Sequence, residues 1–195
     1  MFRHSITQFE QEVVTIHPGE YFATADDTII STVLGSCIAV ALYDPRACVG
    51  GLNHFMLPGE VAADEIIRNP NAKYGMYAIE LLVNELMKLG IKKKDIRAKV
   101  FGGGAVLRFE DGGSTKIPQS NIDFTFEYLE KEGIPVLASD VGGRDPRKIF
   151  FFPRSGKVLL KRIAPRLVDL VEKEEERYLS AIRTEEQEGP ITLFK

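Results

Sequence analysis

One stretch of the chain has the pattern of a β-hairpin and limits the possible folds more than any other segment. Residues 38–43 are Ile, Ala, Val, Ala, Leu and Tyr, an apolar run with the length and composition of a buried strand. Asp44 and Pro45 follow, and Asp then Pro are preferred at the first two positions of a type I turn. Because apolar residues return over 48–55, we expect this segment to pair antiparallel with 38–43.

Further short strands and two helices are predicted along the chain. The stretch NPNAKYGMYAIELLVNELMKLG is expected to be helical, with Gly90 as its C-cap. A second helix is expected to start from a cap on Ser120 or Asn121 and to end before Gly133. Other strands are predicted at 29–34, 135–139, 148–152 and 158–163, and in IRAKVF before three glycines. Strands thus outnumber helices, which indicates a mixed α and β fold with largely antiparallel sheets.

The composition changes at the C-terminal end of the chain. Residues 165–195 are heavily charged, with a thin apolar stripe formed by Leu167, Val171, Tyr178 and Ile182. We therefore expect one domain over 1–164 and a charged extension over 165–195 that is helical and then a flexible tail.

Charge and hydropathy exclude several classes of partner. The formal net charge is −3, with no clustered stripe of Lys and Arg, so we expect no nucleic-acid partner. No apolar run approaches the roughly 20 residues that a bilayer requires, and no secretory signal is evident, so no membrane insertion is expected. These features predict a cytoplasmic protein.

The cysteines and histidines favour neither a disulfide nor a metal centre. Two cysteines in 195 residues do not form a disulfide framework, and Cys37 and Cys48 are expected to be free thiols. The three histidines are far apart in the sequence, so no metal site and no cofactor are predicted.

The hairpin brings a thiol and an imidazole together if its turn is centred between Pro45 and Arg46. Opposed residue numbers then sum to 91, so that Cys37 faces His54. Directly opposed Cβ atoms lie roughly 4.5–5.5 Å apart. A bulge at Gly50 would instead place the two side chains on opposite faces.

Such a pair has the elements of nucleophilic catalysis. An imidazole beside a thiol lowers the thiol pKa, and the thiolate attacks carbonyl carbon. Gly35 and Ser36 directly precede the cysteine and can present N–H groups to a developing oxyanion. Ser31 or Thr32 could orient the imidazole, and the spacing leaves both open. Inert core packing is the alternative for a lone cysteine, and Cys48 is assigned to it.

Six motifs stand in the order and spacing of a known family. LGSCIAVALYDP carries a Gly-Ser-Cys triplet, and GGLNHFMLP carries Asn-His and Met-Leu-Pro. The others are KYGMYAIELLVNELMKLG, KVFGGGA, NIDFTFEYLEKEGI and DVGGRDPRKIFFFPRSGKV. Over residues 16–162 the chain resembles the chemoreceptor glutamine deamidase family CheD.

The resemblance implies a fold and an activity. The fold is a three-layer α/β/β sandwich, an α+β arrangement with largely antiparallel sheets, two main helices and the C-terminal helical extension. The activity is cysteine-dependent hydrolysis of glutamine side-chain amides on methyl-accepting chemotaxis receptors, which gives glutamate and ammonia through a thioester.

The resemblance also implies residue roles. Cys37 matches the nucleophile and His54 the general base and acid. Ser31 stands six positions before the cysteine, where the family has threonine, and is assigned as the residue that orients the imidazole. A predicted oxyanion site or substrate groove comprises Gly35, Ser36, Asn53, Gly102, Gly103 and Gly104. The glycine segment 102–104 and the loop 142–147 are each expected either to shape this groove or to form tight turns between strands.

Two other functions remain open at this point. The family also binds a CheC-type phosphatase, so the chain could act mainly as a non-catalytic chemotaxis adaptor. A thiol protease or a transglutaminase could use the same Cys–His pair.

Overall fold

The computed structural model describes residues 1–5, 7, 9–61, 69–106, 116–163 and 168–188. Within these ranges the strands are β1 (Phe2–Ser5), β2 (Glu12–Thr15), β3 (Tyr21–Thr24), β4 (Ile29–Leu34), β5 (Ile38–Asp44), β6 (Val49–Asn53), β7 (Arg97–Gly102), β8 (Val136–Val141), β9 (Arg147–Phe152) and β10 (Lys157–Arg162). The helices are α1 (Pro70–Lys88), α2 (Ile117–Lys131) and α3 (Val168–Glu188). Each predicted helix and strand has a counterpart here.

The strands form two five-stranded sheets. The first has the order β1-β2-β4-β9-β10 and the second the order β3-β6-β5-β7-β8. The pairs β2–β4 and β7–β8 are parallel, and the other described pairs are antiparallel. The expectation of largely antiparallel sheets is therefore confirmed.

Two apolar cores separate three layers. One lies between the sheets and includes Ile30 and Ile149 of the first sheet and Ala39 and Leu52 of the second. The other lies between the second sheet and helices α1 and α2. Alternation along β5 divides its side chains between these cores, since even positions face the helices and odd positions face the other sheet. The structure confirms the three-layer α/β/β sandwich.

The second helix starts earlier than predicted. α2 begins at Ile117, with Pro118 in its first turn, where the missing N–H of proline costs nothing. Ser120 and Asn121 are therefore buried inside the helix, and their prediction as caps is wrong. The Asn121 side chain instead accepts a hydrogen bond from Leu57 N at 2.8 Å and donates one to Ser36 O at 3.0 Å.

The hairpin pairs two positions away from the predicted register. Asp44 opposes Val49 and Ala41 opposes Leu52, so opposed numbers sum to 93 rather than 91. The loop between the strands is longer than predicted and includes Cys48 in a left-handed conformation, with φ of 55°. Because a shift of two preserves the alternation of faces, Cys37 and His54 stay on the same side of the sheet as diagonal neighbours.

The charged C-terminal segment contains α3, as its composition predicts. Val171, Leu179 and Ile182 are buried, and the last two belong to the core between the sheets. The division between a domain over 1–164 and an extension over 165–195 stays a prediction. Among the described residues, no helix has the length and apolar character needed to cross a membrane.

Candidate active site

Strands β4, β5 and β6 bring together three polar side chains in the core between the sheets. Thr32 lies in β4, Cys37 directly precedes β5, and His54 directly follows β6. All three residues are at most 2% exposed. The Cys37 Sγ, a His54 ring nitrogen and a Glu175 carboxylate oxygen all lie within 4.8 Å of one another.

Thr32 orients the imidazole. The Thr32 hydroxyl lies 2.8 Å from Ile16 O and 2.8 Å from His54 Nδ1. Since a carbonyl only accepts, the hydroxyl donates to Ile16 and its oxygen accepts from His54 Nδ1–H. His54 Nε2 is then the unprotonated nitrogen, and it is buried without a hydrogen-bond partner among the described residues. This tautomer leaves Nε2 free to accept a proton.

The assignment of Ser31 as the orienting residue is wrong. Neighbouring residues of a strand point to opposite faces. Ser31 opposes the half-buried Phe150 in β9, whereas Thr32 opposes Ile149 of the core between the sheets. The Ser31 hydroxyl is buried without a hydrogen-bond partner in the described part of the chain.

The residues before the nucleophile form a cradle for an anion, which we call the N–H cradle: the backbone N–H groups of Gly35, Ser36 and Cys37. These three groups donate to the Glu175 carboxylate at 2.9, 2.8 and 3.1 Å, and the Ser36 hydroxyl donates to it at 2.6 Å. A Cβ at position 35 would lie 2.7 Å from Glu175 Oε2, so glycine permits this close approach. The convergence predicted for Gly35 and Ser36 is present, and its catalytic role stays a prediction.

The glycine segment 102–104 is hydrogen-bonded to residues 35–37, which we call the cysteine loop, and supports it. Gly103 N donates to Cys37 O at 2.8 Å, and Gly104 N donates to Gly35 O at 2.7 Å. Gly102 adopts φ of 114°, and a Cβ there would lie 2.0 Å from Cys37 O. The N–H groups of Gly103 and Gly104 thus hold the loop, which agrees with the alternative of a tight turn between strands, and a role of the segment in a substrate groove stays a prediction.

Asn53 is likewise structural in this arrangement. Its Oδ1 accepts from Val40 N at 2.9 Å, where the ladder between β5 and β6 lacks a backbone bond, and its Nδ2 donates to Ala78 O at 3.0 Å in α1. One N–H of the amide is used in this way, and Asn53 also lies in the wall of a cavity of about 240 Å³ beside His54, so its role in an oxyanion site or substrate groove stays a prediction.

Comparison with known proteins supplies the family. The model of the family described as "CheD chemotactic sensory transduction" matches residues 56–162. The "Probable chemoreceptor glutamine deamidase CheD 1" of Shewanella oneidensis is 42% identical over 194 residues, 98% of this chain and 92% of the relative. The chain belongs to the CheD family. CheD proteins of Laribacter hongkongensis and Herminiimonas arsenicoxydans, named probable chemoreceptor glutamine deamidases, are 45% and 40% identical over 95% of the chain and 89% and 91% of the relatives.

The alignment with a CheD relative extends beyond the residues of the sandwich. Because the Shewanella oneidensis alignment covers 98% of the chain, it includes nearly all of α3. The segment that carries Glu175 is therefore aligned with residues of at least one CheD protein.

Burial keeps both members of the CheD thiol–imidazole pair neutral in this arrangement. Burial raises the pKa of the Cys37 thiol well above its ordinary value, and the nearby Glu175 carboxylate raises it further. Burial also lowers the pKa of His54 to about 3. The prediction of a thiolate near neutral pH is wrong for this closed arrangement, because it took account of the imidazole but not of burial or of Glu175.

Two residues at the CheD site were missed by sequence reasoning. Arg147 is fully buried below the glycine segment, where its guanidinium donates to Asp140 O at 2.7 Å and to Gly142 O. It thereby organises the loop 142–147, which is hydrogen-bonded to the glycine segment through Gly142 N and Gly102 O at 2.9 Å.

Glu175 is the second residue that sequence reasoning missed. Its position within the apolar stripe of α3 was the feature that could have indicated its burial. It lies four residues after Val171 and four before Leu179, in the middle of the buried face of α3. Cys37, His54 and Glu175 have the residue types of a metal site. Both Glu175 oxygens, however, already accept hydrogen bonds from the N–H cradle and Ser36, which compensate its charge without a cation.

Proposed function

We propose that this chain is a cysteine-dependent protein-glutamine deamidase that converts selected glutamines of methyl-accepting chemotaxis receptors to glutamate. One observation carries the proposal: Thr32, His54 and Cys37 lie beside converging backbone N–H groups in a chain of the CheD family. The relatives are named probable chemoreceptor glutamine deamidases, and these names supply the substrate class. Access to the cytoplasmic helices of receptors requires a cytoplasmic enzyme, which remains our prediction for its location.

The first half of the reaction transfers the acyl group to sulfur. His54 Nε2 takes the proton of the Cys37 thiol, and the sulfur attacks the carboxamide carbon of the glutamine. The carbonyl oxygen becomes an oxyanion that the N–H cradle stabilises. When the C–N bond breaks, His54 returns its proton to the leaving nitrogen, so ammonia departs and a thioester remains.

The second half releases the product. A water gives a proton to His54 Nε2 and attacks the thioester carbon, and the N–H cradle again holds the oxyanion. The C–S bond breaks, and the proton on His54 returns to sulfur. The net reaction consumes one water and releases glutamate and ammonia, with Cys37 and His54 restored.

The direct test uses purified protein and the cytoplasmic fragment of a chemoreceptor. Mass spectrometry of receptor peptides will show amide-to-acid conversion at specific glutamines. Cys37→Ala is expected to reduce the rate about a thousandfold or more, because the nucleophile is lost. Cys48→Ala removes the other free thiol, which lies outside the site, and should leave the rate unchanged. Conversion that survives Cys37→Ala would show that another group is the nucleophile.

The same spectra separate the related thiol chemistries. A protease would release new peptide termini, and a transglutaminase would attach an added amine to glutamine. A deamidase produces neither change.

The closed site favours one alternative, a non-catalytic adaptor that binds a CheC-type phosphatase. Cys37 is fully buried, and its thiol is held neutral. Binding of a CheC-type phosphatase rests on the family alone and can be measured by size-exclusion chromatography of the mixed proteins. Tight binding without receptor deamidation would favour the adaptor, whereas deamidation at specific glutamines would exclude a purely non-catalytic role.

A further inference from the structure

Helix α3 inserts a carboxylate into the site from outside the sandwich. Glu175 is 1% exposed, and its oxygens accept from Gly35, Ser36 and Cys37. Three backbone N–H groups and one hydroxyl donate hydrogen bonds to this single carboxylate. A buried charge is tolerated only when hydrogen bonds compensate it, and these four bonds do so. The contact therefore has the character of a bound ligand rather than of incidental packing.

Contacts on both sides of Glu175 hold α3 in place. Glu174 accepts from His17 at 2.8 Å, and the Tyr178 hydroxyl is hydrogen-bonded to the Tyr74 hydroxyl. Farther along, the Arg183 side chain donates to Pro58 O at 2.7 Å. Together with the buried stripe of Val171, Leu179 and Ile182, these contacts dock the helix across the Cys37–His54 pair.

The Glu175 side chain has the chemistry of the reaction product. A deamidated glutamine is a glutamate, and its carboxylate stays beside the nucleophile and in the oxyanion site until it dissociates. Glu175 meets both conditions, because an oxygen lies within 4.8 Å of the Cys37 sulfur and the N–H cradle binds both of its oxygens. An amphipathic acidic helix presents it.

We propose that α3 is an intramolecular product mimic, which places Glu175 where the product glutamate of a substrate helix lies and closes the site until that helix displaces it. The inference rests on the proposed function for the identity of the mimicked product. Closure by α3 itself rests on contacts in this chain alone. A substrate that competes in this way presents its glutamine from one face of a helix.

Closure also suppresses the nucleophile electrostatically. The Glu175 carboxylate contributes to the raised pKa of Cys37 through its charge and a hydrogen bond. Its departure removes that contribution and opens the thiol to solvent. Displacement of α3 thus gives access and increases the thiolate fraction in one step.

Alkylation of Cys37 in the full-length chain tests closure without any receptor. Glu175→Lys places a cation against the N–H donors and should undock α3, whereas Glu176→Lys makes the same charge change on the exposed face. We expect iodoacetamide to label Cys37 about tenfold faster or more in Glu175→Lys and at the wild-type rate in Glu176→Lys. Labelling of Cys48 in the same chain is the internal reference.

Arg183→Ala provides a second route to the same opening. It removes a contact that docks α3, eight residues from Glu175, and leaves the site residues unchanged. The prediction can therefore still be tested if the Glu175→Lys variant does not fold. Faster labelling of Cys37 in a folded variant, with Cys48 unchanged, supports closure. Rates for Cys37 within about twofold of wild type in both variants overturn it.

Glu175→Gln tests the product position. The variant carries an amide that the chain itself should hydrolyse, so the recovered protein should have glutamate at position 175 by mass spectrometry. The same substitution combined with Cys37→Ala should keep its amide. An intact amide in a folded variant, together with deamidation of receptor glutamines by the wild type, overturns the product mimic and leaves the proposed function standing. If the wild type deamidates no receptor, the proposed function fails, and the alkylation rates still decide whether α3 closes the site.

Discussion

At the scale of single residues, the Thr32 hydroxyl determines which imidazole nitrogen can act as the base. It accepts from His54 Nδ1 while donating to Ile16 O. Thr32→Val keeps the shape of the side chain but loses both bonds. We expect kcat for receptor deamidation to fall about tenfold to a hundredfold with KM little changed, because the hydroxyl positions a catalytic group and does not touch substrate.

Two companion variants make the Thr32 prediction specific. Thr32→Ser retains the hydroxyl and should have most of the wild-type kcat. Ser31→Ala should lower kcat little, because the Ser31 hydroxyl points away from His54. The reverse order, with Ser31→Ala the more damaging, would contradict the assignment.

The residues of the site were predictable to different degrees. Cys37 and His54 could be paired from the sequence because strand alternation and a turn limit where they can lie. The spacing left Ser31 and Thr32 both open, and the resemblance to the family favoured Ser31. Adjacent strand residues face opposite sides, so only one of the two can reach the imidazole. Glu175 lies 138 positions from Cys37, and no local rule connects such distant residues.

At the scale of elements, the glycine segment at the end of β7 determines the shape of the cysteine loop. Gly102→Ala would place a Cβ 2.0 Å from Cys37 O at φ of 114°. We expect the free energy of unfolding in urea to fall by about 2–5 kcal/mol, from backbone strain together with the steric clash.

Gly90→Ala is the matched control for Gly102→Ala. Gly90 has φ of 94°, and a Cβ there meets nothing within 4 Å. This substitution should cost only about 1–2 kcal/mol, from backbone strain alone. Equal losses of unfolding free energy in the two variants would show that the clash with Cys37 O adds nothing to the effect of backbone strain.

The β5–β6 hairpin shows why a predicted register can be wrong and still identify a site. The residues Asp44 and Pro45 indicate a turn, but they do not determine how many residues the loop contains. The left-handed Cys48 extends it, which moves every pair by two and leaves the faces unchanged. A shift of one would have separated Cys37 from His54.

At the scale of the whole molecule, local patterns predicted the strands, the helices and a mixed α and β fold, and the resemblance to the CheD family implied the sandwich, but neither predicted the docking of α3. The strands and the first two helices carry periodicities that indicate their buried faces. The stripe on α3 is thin and is interrupted by Glu175, so the composition indicated only a charged helical extension. Only the complementary N–H cradle on the sandwich shows that this acidic residue belongs inside.

The buried imidazole couples the stability of the whole chain to pH. The pKa of His54 is about 3 in the folded state, against an ordinary value of 6.5. Between these values the unfolded chain binds a proton that the folded chain does not, so His54 makes stability fall as the pH falls. Its contribution is complete above about pH 6.5 and decreases by roughly 1.4 kcal/mol per pH unit below it.

Urea unfolding at pH values from about 7 down to about 5 measures this coupling. The wild type should lose stability more steeply than His54→Gln, which has no proton to bind at this position. Carboxylates contribute equally to both proteins, so the difference between the two slopes isolates His54. Parallel slopes would mean that His54 is protonated in the folded protein over the same pH range. That result would contradict the burial of a neutral imidazole, because His54 would then titrate near its ordinary pKa of 6.5 in the folded protein as well.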